Sequence, residues 1–135
     1  MPYNVEVTLV KAVDLAAADM NGKSDPYVVL SLGENKRKSS VVAASVNPEW
    51  QPEEKFWFLT DDARFAVLDV QVFDHDRFTK DDLIGYSSIS LSQFLDGSST
   101  NGTVLMHELM VPNIFERQGR KSVLVLKIKV EEEAE

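Results

Sequence analysis

The stretch Leu68-Asp69-Val70-Gln71-Val72-Phe73-Asp74-His75-Asp76-Arg77-Phe78-Thr79-Lys80-Asp81-Asp82-Leu83-Ile84-Gly85 decides how the chain is read. Its opening residues alternate, with Leu68, Val70 and Val72 on one side and Asp69 and Gln71 on the other. A period of two marks a strand with one face in a core. The pattern then breaks into a polar, charged run and resumes at Leu83. A strand therefore enters a loop and a second strand leaves it. Residues two apart at a strand end point the same way, so Asp74 and Asp76 can face one point. Asp82 follows six residues later, far enough for the loop to curl back.

The same period recurs on both sides. Val5, Val7 and Leu9 alternate near the start, and Leu124, Leu126, Ile128 and Val130 near the end. Between such runs lie turn signals: Asn21-Gly22, Gly33-Glu34-Asn35, Asn47-Pro48, Thr60-Asp61-Asp62, Gly85 and Asp96-Gly97. This spacing predicts eight strands, near 3–10, 26–32, 37–44, 54–60, 66–73, 84–90, 104–110 and 121–130. Many short strands with regular turns predict an all-β fold, an eight-stranded antiparallel β-sandwich. One short helix is expected, capped by Ser90, running from Leu91 to Leu95 and stopped by Gly97. Trp50 and Trp57 read as core aromatics. One domain is expected over residues 1–130, with Glu131-Glu132-Glu133-Ala134-Glu135 as a frayed acidic C-terminal tail.

Composition narrows the function. The 135 residues suit one domain, and 44% hydrophobic residues supply a core. The chain has no cysteine, which excludes disulfides, zinc fingers and thiol catalysis and reads as intracellular. Met1-Pro2-Tyr3-Asn4 leads into an alternating segment rather than a secretion signal. No stretch approaches the roughly 20 apolar residues of a spanning helix. The expectation is a cytoplasmic protein that meets a membrane from the side, if at all. The sequon Asn101-Gly102-Thr103 then reads as a polar turn. A net charge of -8 argues against nucleic acid as a partner. Alone it also argues against an anionic membrane, unless the negative charge is concentrated where a metal can reverse it.

A second acidic segment, Ala18-Asp19-Met20-Asn21-Gly22-Lys23-Ser24-Asp25-Pro26-Tyr27, also borders a strand signal. Asp19 and Asp25 are six apart and flank the Asn-Gly turn. If the two loops are neighbours, five carboxylates converge: Asp19, Asp25, Asp74, Asp76 and Asp82. Like charges so close raise one another's pKa values, and folded chains tolerate this mainly around a cation. An all-oxygen ligand set implies a hard cation, and its flexible geometry suits calcium better than magnesium. A single aspartate in a turn is ordinary; five at these spacings are not. An EF-hand is excluded, because a loop starting at Asp74 would carry Phe78, Thr79 and Gly85 where its fifth, sixth and twelfth positions need oxygen, glycine and glutamate. Met20 and Phe78 lie amid polar residues inside the two loops, where core burial is hard to arrange, with Lys23, Arg77 and Lys80 beside them. No Gly-rich phosphate loop and no Ser/His/Asp arrangement is legible, and the chain reads as a non-enzyme without a small-molecule substrate. His107 reads as structural.

Three motifs carry a resemblance. Asp19 to Tyr27, as Asp-x-x-Gly-x-Ser-Asp-Pro-Tyr, resembles the first calcium-binding loop of C2 domains. Asn47-Pro48-Glu49-Trp50 is similar to their Asn-Pro-x-Trp signature, and Asp74-x-Asp76 with Asp82-Leu83-Ile84-Gly85 to their third loop. The resemblance covers about residues 3–130. It implies that the five aspartates hold two or three calcium ions (Ca2+). It further implies backbone carbonyl ligands at Ala18, His75 and Lys80, with the Thr79 hydroxyl where some members use serine. The expected partner is an anionic phospholipid membrane, reached by an electrostatic switch on calcium binding and contacted through Met20, Asn21, Lys23, Arg77, Phe78 and Lys80. Other domains of a larger protein are further partners implied. Tyr27, Lys36 and Lys38 match a phosphoinositide-binding face of some members, but Val29 and Ser31 stand where those members carry lysines, so the patch is half built. The strand order resembles the circularly permuted type II arrangement. Two alternatives stay open: a calcium-independent protein–protein module on the same scaffold, and a metal-assisted hydrolase, for which no general base is legible.

Overall fold

The computed structural model describes residues 2–95 and 102–133. Its eight strands are β1 (Tyr3–Val13), β2 (Pro26–Leu32), β3 (Asn35–Lys38), β4 (Glu49–Thr60), β5 (Val67–Asp74), β6 (Asp82–Ser90), β7 (Thr103–Glu108) and β8 (Val123–Glu132). They form two antiparallel four-stranded sheets, ordered β4-β1-β8-β7 and β3-β2-β5-β6. The closing strand β8 lies beside the opening strand β1, with Val5 opposite Val130 and Leu9 opposite Leu126.

The alternating residues read from the sequence fill the space between the sheets. Val5, Val7 and Leu9 of β1, Leu68, Val70 and Val72 of β5, and Leu124, Leu126 and Ile128 of β8 are all at most 1% exposed. Full burial of one such side chain stabilises by about 1.5–3 kcal/mol. Trp50 seals the core near the start of β4, and its indole N–H donates to the Ser40 carbonyl at 3.0 Å.

Several expectations are corrected. Trp57 is not a core aromatic; it is 60% exposed, because the alternation along β4 buries Phe58 and turns Trp57 outward. The third strand is Asn35–Lys38 rather than 37–44. A tight turn at Gly33 (φ 61°) pairs Leu32 with Asn35, so the strand starts early. It stops where the Ser39 hydroxyl takes the Val28 amide. The fourth strand begins at Glu49, not 54, despite Pro52; β4 is an edge strand, where a missing N–H costs little. The helix expected after Ser90 is one 3₁₀ turn, Leu91–Phe94, and Ser90 makes no side-chain cap. The Asp96-Gly97 stop lies outside the described residues. Glu131 and Glu132, expected in the tail, extend β8 and pair with Asn4 and Tyr3. A second 3₁₀ helix, Asn113–Gln118, was not anticipated.

Strand direction positions the site. β1, β3, β5 and β7 end, and β2, β4, β6 and β8 begin, at one pole of the sandwich. Residues 14–25, 39–48, 75–81 and 109–122 therefore form four loops at that pole. No helix among the described residues is long and apolar enough to cross a membrane.

Candidate metal centre

The β2–β5 ladder joins the two acidic loops. Pro26 is paired with Asp74 and, across β5–β6, Asp74 with Asp82. The ladder continues past the strands: the His75 amide donates to the Asp25 carbonyl at 2.9 Å. The Asp25 amide donates to Asp74 Oδ1 at 2.6 Å. Within the first loop the Asp19 amide donates to the Lys23 carbonyl at 3.0 Å, around Gly22 at φ 78°. Ser24, fully buried, stitches the loop to its own stem: its hydroxyl donates to the Ala16 carbonyl at 2.9 Å and accepts from the Ala18 amide at 3.0 Å. Asp25 Oδ1 also accepts the Ala44 amide at 2.6 Å, which ties in the loop of residues 39–48. Asn47 closes the frame, its Oδ1 accepting the Asp14 amide at 2.8 Å.

Carboxylate oxygens of Asp19, Asp25 and Asp74 lie within 4.8 Å of one another. Asp74 is 1% exposed, and its Oδ2 is buried with no hydrogen-bond partner. Burial pushes the Asp74 carboxyl up from 3.8 to about 6; Asp19 and Asp25 push the same way, and the Asp25 amide opposes them. A buried carboxylate oxygen that no donor satisfies, facing two more carboxylates, is a donor set made for a cation. The residues present fit a calcium ion.

Not all five aspartates join this group. Asp76 is turned onto its own loop, where its Oδ1 accepts the amides of Phe78 (2.9 Å) and Thr79 (3.2 Å). Those bonds hold its carboxyl below the ordinary value. Asp82 is exposed at the first residue of β6, opposite Asp74. The convergence of five carboxylates is thus a cluster of three, with Asp76 and Asp82 in the same loop and on its exit. Ala18, His75, Thr79 and Lys80 all lie in the two loops. Met20 and Phe78 are 106% and 91% exposed, which rules out their packing against each other. Asn21, Lys23, Arg77 and Lys80 are exposed beside them.

Asp81 was missed in the sequence, where its neighbour Asp82 drew the motif. Its carboxylate accepts the Tyr27 hydroxyl and, at 2.9 Å, the Asp76 amide, and lies 3.7 Å from His75 Nδ1. The Tyr27 hydroxyl holds the Asp81 carboxyl below the ordinary value, aided by the Asp76 amide. Burial, then the Asp81 contact, pushes Tyr27 up to about 12. Lys38 Nζ stands 4.5 Å from the centroid of the Tyr27 ring. Lys36 lines a shallow hollow with Ser31, Asp69 and Tyr86. Tyr27 is thus a buried brace under the third loop. The spacing of two turn aspartates could not disclose this, because the partner lies 54 residues away.

Comparison with known proteins agrees with this architecture. The C2 domain family model matches residues 3–106. Multiple C2 and transmembrane domain-containing protein 1 of Rattus norvegicus is 41% identical over 88 residues, 65% of this chain and 9% of that protein. A C2 domain of plant extended synaptotagmin 1 superposes with a TM-score of 0.81 at 26% identity, covering 98% of this chain and 96% of that one. The calcium-bound pair of C2 domains from extended synaptotagmin 2 gives a TM-score of 0.75 at 25% identity, covering 94% of this chain and 45% of that one. The chain thus spans less than a tenth of the first of these relatives. Sandwich topology, polar loop cluster and family match coincide, and the chain belongs to the C2 domain family.

Proposed function

We propose that this chain is a calcium-dependent module that binds anionic phospholipid membranes through its acidic pole, and not an enzyme. The observation that carries this reading is the partnerless, buried Oδ2 of Asp74 between Asp19 and Asp25. The calcium-bound form of a structural relative supports it. Asp19, Asp25 and Asp74 would hold the metal, with Asp76, Asp82, the Thr79 hydroxyl and the carbonyls of Ala18, His75 and Lys80 completing the set. When bound, calcium supplies positive charge and open coordination positions for lipid phosphate oxygens.

The chain's own residues do the rest. The ladder bonds at Asp25 and His75 hold the two loops in register. Ser24 and Asn47 fix the loop stems. Five carboxylates carry about −5 at the pole, so their neutralisation removes the largest local barrier to an anionic surface. Met20 and Phe78 would enter the interface, while Lys23, Arg77 and Lys80 would meet headgroups. Recruitment from the cytoplasm and placement within a larger protein belong to the same reading. Tyr27, Lys36 and Lys38 are no part of this reading; the Tyr27 hydroxyl is engaged by Asp81 and its ring by Lys38.

Cosedimentation with phosphatidylserine vesicles, in calcium and in chelator, tests the proposal. Wild type pellets only with calcium, and Asp74→Asn pellets in neither. Equal pelleting in chelator would leave the calcium-independent interaction module as the better reading.

A further inference from the structure

The fourth loop at the acidic pole, residues 109–122, has no acidic cluster, yet it is built rigidly against the first. The Gln118 side chain and the Ala17 backbone exchange two hydrogen bonds, each 2.8 Å. Arg120 Nη1 donates to Asp14 Oδ1 at 2.9 Å, the Lys121 amide to Asp14 Oδ2 at 2.9 Å, and the Ser122 hydroxyl to the Asp14 carbonyl at 2.7 Å. The 3₁₀ helix Asn113–Gln118 ends at Gly119 with φ 64°. Phe115 packs against the core.

In this well-anchored loop two apolar residues face solvent: Ile114 is 82% exposed and Met110 59%. A lone exposed apolar side chain means little. Met110 is bridged to Tyr86 partway along β6, but Ile114 lies in the loop that shares a pole with Met20 and Phe78, and a groove lined by Asp14, Asp19, Met20, Gln118 and Arg120 joins that loop to the first. Charge points the same way. Residues 109–122 contain Arg117, Arg120 and Lys121 against Glu116 alone, in a chain of net charge -8. Arg117 and Lys121 are exposed. An apolar tip with cations beside it is the pattern of a segment lying in a bilayer interface.

We propose that the 109–122 loop is a fourth membrane-contacting element, with a lipid surface as its occupant: Ile114 enters the headgroup–acyl boundary, and Arg117 and Lys121 meet lipid phosphates. This rests on the membrane reading above and adds a contact that holds no metal. The Gln118–Ala17 clamp makes the two loops approach a bilayer as one body.

The absence of cysteine allows a clean test. Single-cysteine variants Ile114→Cys, Phe78→Cys and Phe65→Cys, the last at the opposite pole, are labelled with an environment-sensitive fluorophore. Each is mixed with calcium and phosphatidylserine–phosphatidylcholine vesicles carrying a bilayer quencher. The labels at 114 and 78 shift to the blue and are quenched, and the label at 65 does neither. Ile114→Asp, read by vesicle titration, weakens binding about tenfold while leaving calcium-induced thermal stabilisation unchanged. A response at 78 without one at 114 overturns the fourth contact and leaves the membrane reading intact. Silence at both overturns both, and an equal response at 65 overturns the assignment of a specific face.

Discussion

Asp74 concentrates the energetics of the site. Its folded pKa of about 6 exceeds the ordinary 3.8, so the native state holds a proton that the unfolded chain has released between those values. Native stability from this group therefore falls as pH rises from about 4 to about 6, and is flat above. Asp74→Asn keeps an oxygen for the Asp25 amide and removes the charge. In chelator, the stability of wild type relative to this variant declines across that window. At neutral pH the variant melts at or above wild type. In calcium the order reverses, because only the intact carboxylate gains from the metal. Thermal melts across this pH range check both statements. A wild-type-minus-variant difference that is constant with pH would show that Asp74 is not held in the buried, crowded setting described.

At the scale of elements, the third loop stands on Tyr27 and Asp81. Asp81 shares the acidic loop but braces it from below, binding the Asp76 amide and the Tyr27 hydroxyl at once. Asp81→Asn weakens both bonds without touching the three clustered carboxylates. Calcium affinity then falls by about tenfold, the usual scale for removing support behind a ligand. Tyr27 also titrates closer to its ordinary 10, though not all the way, since burial is the larger cause of its shift. Isothermal titration reads the first effect and ultraviolet titration of the phenolate the second; an unchanged affinity would reduce Asp81 to an incidental neighbour. The element scale is also where the sequence was most uneven. The sequence pattern placed β2 to the residue, β5 within one residue and β1 and β8 within two or three, because each turns a mostly buried face to the core. It failed at β3 and at the start of β4, where the residues are mostly exposed and leave no buried period to read. Trp57 misled for the same reason: bulk suggested burial, while its register beside Phe58 put it in solvent. A direct contrast follows. Trp50→Ala costs about 3–5 kcal/mol in denaturant unfolding, and Trp57→Ala costs about 1 kcal/mol or less. Within each loop the motif aspartates were legible because their spacing is local; their meeting across 49 residues followed only from the family resemblance, and it joins Asp19, Asp25 and Asp74 rather than all five. Asp81 and Gln118 were not legible, because their partners are 54 and 101 residues away.

In the proposed function the whole molecule sets a negative body behind a pole that approaches a negative surface. Two forces act there, and salt separates them. Attraction between the metal-loaded pole and anionic headgroups is screened, with a Debye length of about 10 Å at 0.1 M and about 3 Å at 1 M. Entry of the exposed Met20 and Phe78 into the interface, as proposed, would not be weakened by salt. Calcium-dependent binding to phosphatidylserine vesicles should therefore fall steeply as salt rises over that range, and then level at a residual set by the apolar tips. The double variant Met20→Ala/Phe78→Ala should show the same steep fall and lose most of the residual. Thermal stability gives an independent reading in the absence of lipid. Calcium at about 100 times its dissociation constant adds about 2.7 kcal/mol, roughly 10 °C in a domain of this size, and the double variant keeps that gain because neither side chain is a ligand. Wild-type binding that ignores salt altogether would mean that charge reversal at the pole is not what brings the protein to the bilayer. The carboxylate cluster would then have to be explained as a device for stability alone.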